Sequence, residues 1–457
     1  MGWSRWTWIC GLQHRGLAAG LAAALSCLVL YPRAVPAAGL LDILQLAQKN
    51  DPALQTAQFK KQGIQEHRTQ AIARLLPALA GSAEAAHTTQ DIRSSDNTVF
   101  AVGRTDYGSS TYGLTLTQPV LHWDSIIGYQ QANAEILLSE AEYQIAVQDL
   151  IIRVADLYLK VLAAQDQLTF ARAEQNAVDK HFELASGQFK KGLIPITDMH
   201  DAKARKAAVS ARTIEAENLL DDALQALQEV TGQPVTAIDP LQADIALAHP
   251  DPADADAWIK AAVKQNPAIL LQQHAVTIAG KEVDRQNAGH LPTVDVVGSY
   301  NNEDTEGTLY GGGSEIDNTK IMLKLNVPLY QGGMVSSKVA EAEHQRSAAR
   351  QELIRQTRAV ERQTRSAFLG VKTAINRVEA LKQSVTSNQS ALEAKQEGFL
   401  SGLYTSLAVL DAERDLYLTK QDYAKARYEY LLNGLKLKKA TDTLSSQDVQ
   451  QMAQLFR

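Results

Sequence analysis

The residues of this chain that could do chemistry are carboxylates, histidines and glycines, and their spacing decides whether they form a site. The ten histidines include no His-Glu-x-x-His pair of zinc ligands. The glycine run 311–313 lies between predicted strands and lacks the strand-to-helix context of a phosphate cradle. The nearby acids follow no calcium-loop spacing: Glu303, Asp304, Glu306, Glu315 and Asp317. We therefore expect no enzyme, no metal site and no cofactor.

One pattern with polar residues occurs twice. The frame Phe-x-x-Gly-Leu, followed eight residues later by Asp-Ala, contains Gly192 and Leu193 in its first copy. Its second copy, 210 positions further on, contains Gly402 and Leu403. The acids Asp201 and Asp411 either have a role at this turn or begin the returning helices, where a carboxylate favours the positive end of the helix dipole.

The repetition extends over most of the chain. Leu76-Pro77 is echoed by Leu291-Pro292, and Leu116-Thr-Gln-Pro119 by Leu325-Asn-Val-Pro328. The predicted repeats span 39–230 and 255–445. A proline-rich connector at 231–254 separates them, and a tail at 446–457 follows.

Within each repeat the hydrophobic period changes from helical to alternating. Apolar Ile321, Leu323 and Leu325 alternate with mostly polar neighbours, which predicts a strand with one polar face. Similar segments predict two β-hairpins, at about 78–121 and 293–330.

Long polar loops are expected inside these hairpins, at about 91–109 and 302–318. Trp123 and Tyr330 lie just beyond the strands, where an interfacial girdle would place aromatic residues. The alternative is a small sheet with these aromatics in its core.

The rest of each repeat predicts helices too long for a globule. Between Trp123 and Gly187 the only helix breaker is Gly128, and about 65 helical residues extend nearly 100 Å. Apolar residues recur every seven positions, as in a coiled coil: Val147, Val154, Val161 and Leu168, then Val371, Val378, Val385 and Leu392. We expect two coiled-coil hairpins, turning at 189–197 and 399–407.

The N-terminal 38 residues predict a secretory signal peptide. Arg5 and Arg15 precede an apolar run of about 15 residues, short of the roughly 20 that a membrane anchor needs. Small residues follow the run. Both cysteines, Cys10 and Cys27, lie in this leader, so the mature chain would have no thiol.

Charge and hydropathy exclude other classes. Removing 1–38 removes three arginines and no acid, so the formal charge changes from −6 to −9. Such a chain lacks the strongly basic surface that binds nucleic acid.

No later apolar run predicts a transmembrane helix, which leaves strands as the route into a membrane. Four strands cannot close a barrel, so the chain would have to oligomerise. The alternative is a periplasmic coiled-coil adaptor or scaffold without a pore.

In order and spacing, these pieces resemble the TolC family of outer-membrane efflux and secretion channels. The most specific are Leu76-Pro77, Leu291-Pro292, Val327–Gly333, Leu410-Asp-Ala412 and Ala424–Leu432. The resemblance implies a mostly α fold with a β-barrel contribution. It implies a homotrimer with a 12-stranded barrel in the outer-membrane lipid and a 12-helix tube in the periplasm of a Gram-negative bacterium.

The resemblance also implies partners. Such a channel is a passive exit duct for proteins, small toxic compounds or both. It docks onto a periplasmic adaptor (membrane fusion) protein, and an inner-membrane ABC or proton-driven transporter supplies the energy. A dedicated drug-efflux duct and a type I protein secretion duct both remain open.

For the turns, the resemblance implies a closed tip. In relatives an Arg and a Tyr of the second repeat meet a Thr-Asp pair of the first. Here Thr197 and Asp198 keep the pair, whereas Phe399 stands at the Tyr position and Tyr404 at the Arg position. We expect the Tyr404 hydroxyl to donate to Asp198 as a weaker latch.

A ring of acids at the entrance is also implied. Of its two positions, one is Ala408 and the other keeps its acid as Asp411. Three copies of Asp411 on one axis would concentrate cations.

Overall fold

The computed structural model describes residues 39–94, 102–308 and 311–456. The predicted signal peptide at 1–38 lies outside them. Both halves follow one element order: two helices, two strands, a long helix and a returning helix. The fold class, mostly α with a smaller β contribution, is confirmed.

The first half contains α1 (Leu40–Asn50), α2 (Pro52–Ala73), β1 (Ala78–Ile92), β2 (Gly103–Leu121), α3 (Trp123–Lys190) and α4 (Ile196–Thr231). The second half contains α5 (Ala255–Gln265), α6 (Pro267–Asn287), β3 (Thr293–Thr308), β4 (Gly311–Asn326), α7 (Met334–Leu400) and α8 (Ser406–Ala440). Helix α9 (Ser446–Ala453) lies in the tail.

The four strands in the described part of the chain form one antiparallel sheet in the order β1-β2-β3-β4. The long polar loops expected at 91–109 and 302–318 are wrong where the structure describes them, because residues 91–92, 103–109, 302–308 and 311–318 lie in strands. Residues 95–101 and 309–310 of these ranges lie outside the described residues. Backbone pairing does not require apolar side chains, and polar residues here pair across strands. For example, the Asn302 amide donates to Asp317 at 3.2 Å.

The strand register places most large apolar side chains of the sheet on one side. Leu79 pairs with Leu116, Leu114 with Tyr300, and Val296 with Leu323. Directly opposed residues share a face. We call this the apolar face, and its exposed members are Leu79, Tyr112, Leu114, Leu116, Val296, Tyr300, Ile321, Leu323 and Leu325. The other side is largely polar, with Ser82, Glu84, Thr115, Ser299, Asn301 and Lys320.

The predicted girdle aromatics are not core residues of this sheet. Trp123 is 43% exposed and Tyr330 is 88% exposed. Within one chain, the alternative of a small sheet built around them is therefore not observed.

The long helices pack as two antiparallel pairs, α3 with α4 and α7 with α8. Val154 and Val161 are buried along α3, and Val371 and Val378 along α7, as the seven-residue period indicates. None of the helices in the described ranges combines the length and apolarity that a bilayer crossing requires.

The main core lies where α1, α3, the ends of α4 and α8, and α9 meet the connector. Tyr158, Leu227 and Val449 are almost completely buried there. The connector pairs with the tail through a β-bridge between Leu241 and Phe456. The backbone amide of Gln242 donates to the Leu455 carbonyl at 2.9 Å.

Two asparagines that stand one or two residues before a proline in the sequence, Asn50 and Asn266, connect helix ends. The Asn50 amide donates to the Thr231 carbonyl at 2.7 Å, and the Asn266 amide donates to the Ala440 carbonyl at 2.8 Å. Both carbonyls lie at the C-terminus of a returning helix, where backbone acceptors lack helical partners. Asp51 caps α2 and accepts from Arg153 at 2.6 Å.

Candidate functional site at the helical turns

The first turn follows from a glycine placed just past a helix end. Gly192 has a φ of +71°, a backbone conformation that costs energy for residues with a Cβ atom. Its amide donates to the Phe189 carbonyl at 2.9 Å, and the Leu193 amide donates to the Gln188 carbonyl at 3.0 Å. These two bonds make a Schellman motif that satisfies the last carbonyls of α3.

The second turn has the same geometry. Gly402 has a φ of +77°, its amide donates to the Phe399 carbonyl at 3.0 Å, and the Leu403 amide donates to the Gly398 carbonyl at 2.7 Å. Leu193 and Leu403 are largely exposed. The repeated frame therefore encodes one helix-reversing turn, made twice.

The residues expected to form the closed tip have local partners within the chain. The Thr197 hydroxyl donates to Asp198 at 3.3 Å. The Tyr404 ring lies over Gly398, where an ideal Cβ would stand 2.4 Å from the Tyr404 Cδ2 atom. Phe399 is 38% exposed beside it. A bond between Tyr404 and Asp198 would join neighbouring hairpins, so it stays a prediction.

Asp201 and Asp411 do not begin their helices. Helix α4 starts at Ile196 and α8 at Ser406, so each acid is the sixth helical residue and lies beyond the first turn. The dipole effect falls off within that turn. The helix-start explanation is therefore wrong for both, and Asp198 is the first-turn acid of α4.

The structure adds contacts between the two hairpins that the sequence did not indicate. The Arg205 Nη2 atom on α4 lies 2.6 Å from the Asp411 Oδ1 atom on α8. The His181 Nε2 atom on α3 lies 2.8 Å from the Ser406 Oγ atom. Each pair is separated by more than 200 positions and connects helices of different repeats.

Burial shifts the pKa of two titratable side chains at or near these contacts, and Arg205 contributes to one of the shifts. Burial lowers the pKa of His181, and the nearby Arg205 cation lowers it further. Burial raises the pKa of Glu413, although hydrogen bonding to Gln396 opposes this change. The contacts between the hairpins therefore place an arginine beside a histidine whose neutral form is favoured.

No group of three or more potential metal ligands that could hold an ion occurs among residues 39–94, 102–308 and 311–456. The described chain thus contains two long helical hairpins, each reversed by the same kind of turn. Its four-stranded sheet is formed by other segments, which precede the long helices in the sequence.

This architecture is that of an outer-membrane channel. Residues 43–233 and 258–443 match the model of the family described as Outer membrane efflux protein, and the chain belongs to this family. The resemblance to TolC channels is confirmed.

Individual relatives support the same assignment. The chain is 34% identical to Outer membrane protein TolC of Vibrio cholerae over 91% of its own length and 93% of that protein. It is 31% identical to the Proteases secretion protein PrtF of Dickeya chrysanthemi over 78% of each. The crystal structure of the Campylobacter jejuni CmeC outer membrane channel shares the fold, with a TM-score of 0.75 at 16% identity, covering 92% of this chain and 90% of CmeC.

Proposed function

We propose that this chain is the exit duct of a tripartite export system, used for type I protein secretion, for efflux of small toxic compounds, or for both. It is an outer-membrane export channel by family. The observation that carries the proposal is the exposed apolar face of the sheet, which suits a surface that contacts lipid.

The sheet also supports assembly. Its outer strands β1 and β4 are edges within the chain, and open edges are not tolerated in lipid. Three chains would join β4 of one to β1 of the next and give a closed set of 12 strands, four from each chain. The homotrimer is part of the proposal, with a helical tube continuing from the barrel.

A periplasmic adaptor or scaffold without a pore is the less favoured alternative. It would leave the duplicated strands and their apolar face without a role. Within the proposal, the partners are a periplasmic adaptor protein and an inner-membrane ABC or proton-driven transporter. The channel performs no catalysis, because its work is passive.

Protein secretion is the favoured cargo class. Two relatives, at 31% and 28% identity, are named as protease secretion proteins, and the chain covers 78% and 73% of them. BepC of Brucella suis, named as an efflux protein, is 27% identical, and the chain covers 61% of it. Deletion of the gene should abolish secretion of an exporter substrate. If only antibiotic sensitivity changes, the role is efflux.

Protein extracted from outer membranes is expected to run as a trimer, with about three times the mature mass, because four strands per chain cannot close alone. Native mass spectrometry in detergent measures this mass. A solubilised monomer that still conducts ions in a planar bilayer would contradict the assembly.

The Tyr404→Phe variant is expected to raise passive conductance. It retains the ring that packs over Gly398 and removes only the hydroxyl proposed to bond to Asp198 of a neighbouring hairpin. A hydrogen bond to a charged group contributes about 1.5 to 3 kcal/mol. Single-channel recording measures the change, and unchanged conductance in both Tyr404→Phe and Asp198→Ala would show that other contacts hold the tip.

A further inference from the structure

The contact between Arg205 and Asp411 bears on which ions can enter the channel at its turn end. We propose that Arg205 is a selectivity-determining residue that neutralises Asp411 at the turn end of the channel. The inference rests on the proposed function and refines it. It revises the expectation that three copies of Asp411 concentrate cations, because each would have its counter-ion within the same chain.

The geometry supports direct charge pairing. The Arg205 Nη2 and Asp411 Oδ1 atoms are 2.6 Å apart, a short charge-assisted contact. The Arg205 side chain is 21% exposed and that of Asp411 is 51% exposed, so the arginine is held between helices while the carboxylate still faces solvent. An ion that approaches Asp411 therefore meets the field of the pair.

The two turn regions also balance each other in charge outside this contact. The first turn region, 188–206, contains five basic and two acidic residues, and the matching region of the second repeat, 398–416, contains three acidic and one basic residue. Two basic positions of the first copy, Lys203 and Arg205, become Glu413 and Asp415 in the second. The two turn regions therefore carry opposite net charge, and together they lack an excess of acid.

Two other cations on α4 pair with acids of α3. Lys206 lies 3.0 Å from Asp179, and Arg212 lies 3.1 Å from Glu174. Arg205 is thus the cation that the structure places on Asp411.

The short distance between Arg205 and Asp411 determines how fully their charges cancel for an ion nearby. Charges in water are screened over about 8 Å at physiological ionic strength. Two opposite charges in contact, closer than that length, present little net charge to a passing ion. A carboxylate whose cation has been removed would instead attract multivalent cations in a narrow passage.

The experiment compares Arg205→Gln with the wild-type channel in planar bilayers under a KCl gradient, with hexaamminecobalt(III) added on the side of the turns. Arg205→Gln should shift the reversal potential towards cation preference and strengthen the cobalt complex's block on the order of tenfold. Lys203→Gln is the matched control, since it removes one exposed positive charge two residues away on the same helix, and its effect should be smaller.

Two further variants separate charge from structure. Arg205→Lys retains the cation and should respond as the wild type does. The double variant Arg205→Gln/Asp411→Asn should lose the added block, because no free carboxylate remains. If the double variant retains it, Asp411 is not the group that Arg205 neutralises, and the inference is overturned.

Different results would contradict the role of Arg205 and the proposed channel function. A protein that conducts no ions either as the wild type or as the Tyr404→Phe variant, and that forms no trimer, overturns the proposed channel and the role of Arg205 with it. Trimeric, conducting channels in which Arg205→Gln matches the wild type in reversal potential and block overturn only the role of Arg205.

Discussion

Replacing Tyr158 with alanine is expected to destabilise the protein by about 3 to 5 kcal/mol, the usual cost of removing a buried aromatic side chain. Tyr158 is fully buried on α3. Its ring meets Phe456 edge-on, with centroids 5.1 Å apart, and its hydroxyl donates to the Asp239 carbonyl at 2.9 Å. One side chain therefore joins the long helix, the connector and the tail.

The apparent melting temperature in detergent, followed by the helical circular dichroism signal at fixed protein concentration and scan rate, measures this effect. Tyr158→Phe is the matched control, because it retains the ring and loses only the hydroxyl. Its cost should be about 1 to 3 kcal/mol, since the carbonyl of Asp239 loses its partner. Equal melting temperatures for the alanine variant and the wild type would show that this junction does not limit stability.

Alkaline pH gives a second readout of the same residue. Burial, and then the charge of Asp239, raises the pKa of Tyr158 above its usual range. Above about pH 10 the unfolded chain loses a phenolic proton that the folded chain retains, so stability falls as pH rises. Burial also raises the pKa of Tyr428, so Tyr158→Phe should reduce this dependence without removing it.

The turns could be predicted because their causes are local. A glycine at the left-handed position and two backbone bonds within six residues determine each reversal, and the sequence shows both copies of the frame. The helices follow equally well from the seven-residue spacing of valines, because that period places them on one side of the helix.

The full length of the strands could not be predicted in the same way. Alternation of apolar and polar residues marks only the part of each strand that has an apolar face. Beyond it, residues such as Asn302 and Asp317 are polar, yet their backbones still pair. Composition there is typical of a loop, whereas the hydrogen-bond ladder continues the hairpin.

The partner of Asp411 could not be predicted either. Arg205 is 206 positions away, and their contact depends on how two separate hairpins pack. A comparison of the two copies does show that charge reverses at Lys203 and Arg205, which is the one sequence signal of complementary turns. It does not identify which cation meets which acid.

Replacing Leu323 with arginine is expected to prevent stable insertion of the sheet. Leu323 is 71% exposed on the apolar face and pairs with Val296 across β3 and β4. An arginine that faces lipid costs about 2 to 4 kcal/mol at the bilayer midplane. A homotrimer would contain three copies of the change, so the total cost would approach the stability of a typical folded domain.

The matched control is Met322→Arg, because the next residue along β4 points to the opposite side of the sheet, which it shares with Lys320 and Lys324. An arginine on a wet inner surface costs little, so this variant should form trimers in the outer-membrane fraction at about the wild-type amount. Immunoblots of unboiled membranes measure the trimer for both variants. If Leu323→Arg assembles as well as Met322→Arg, the apolar face does not contact lipid, and its leucines must instead be covered by protein. Loss of trimer in the Leu323 variant alone would identify the lipid-facing side directly, because the two substitutions differ in direction and hardly in depth or chemistry.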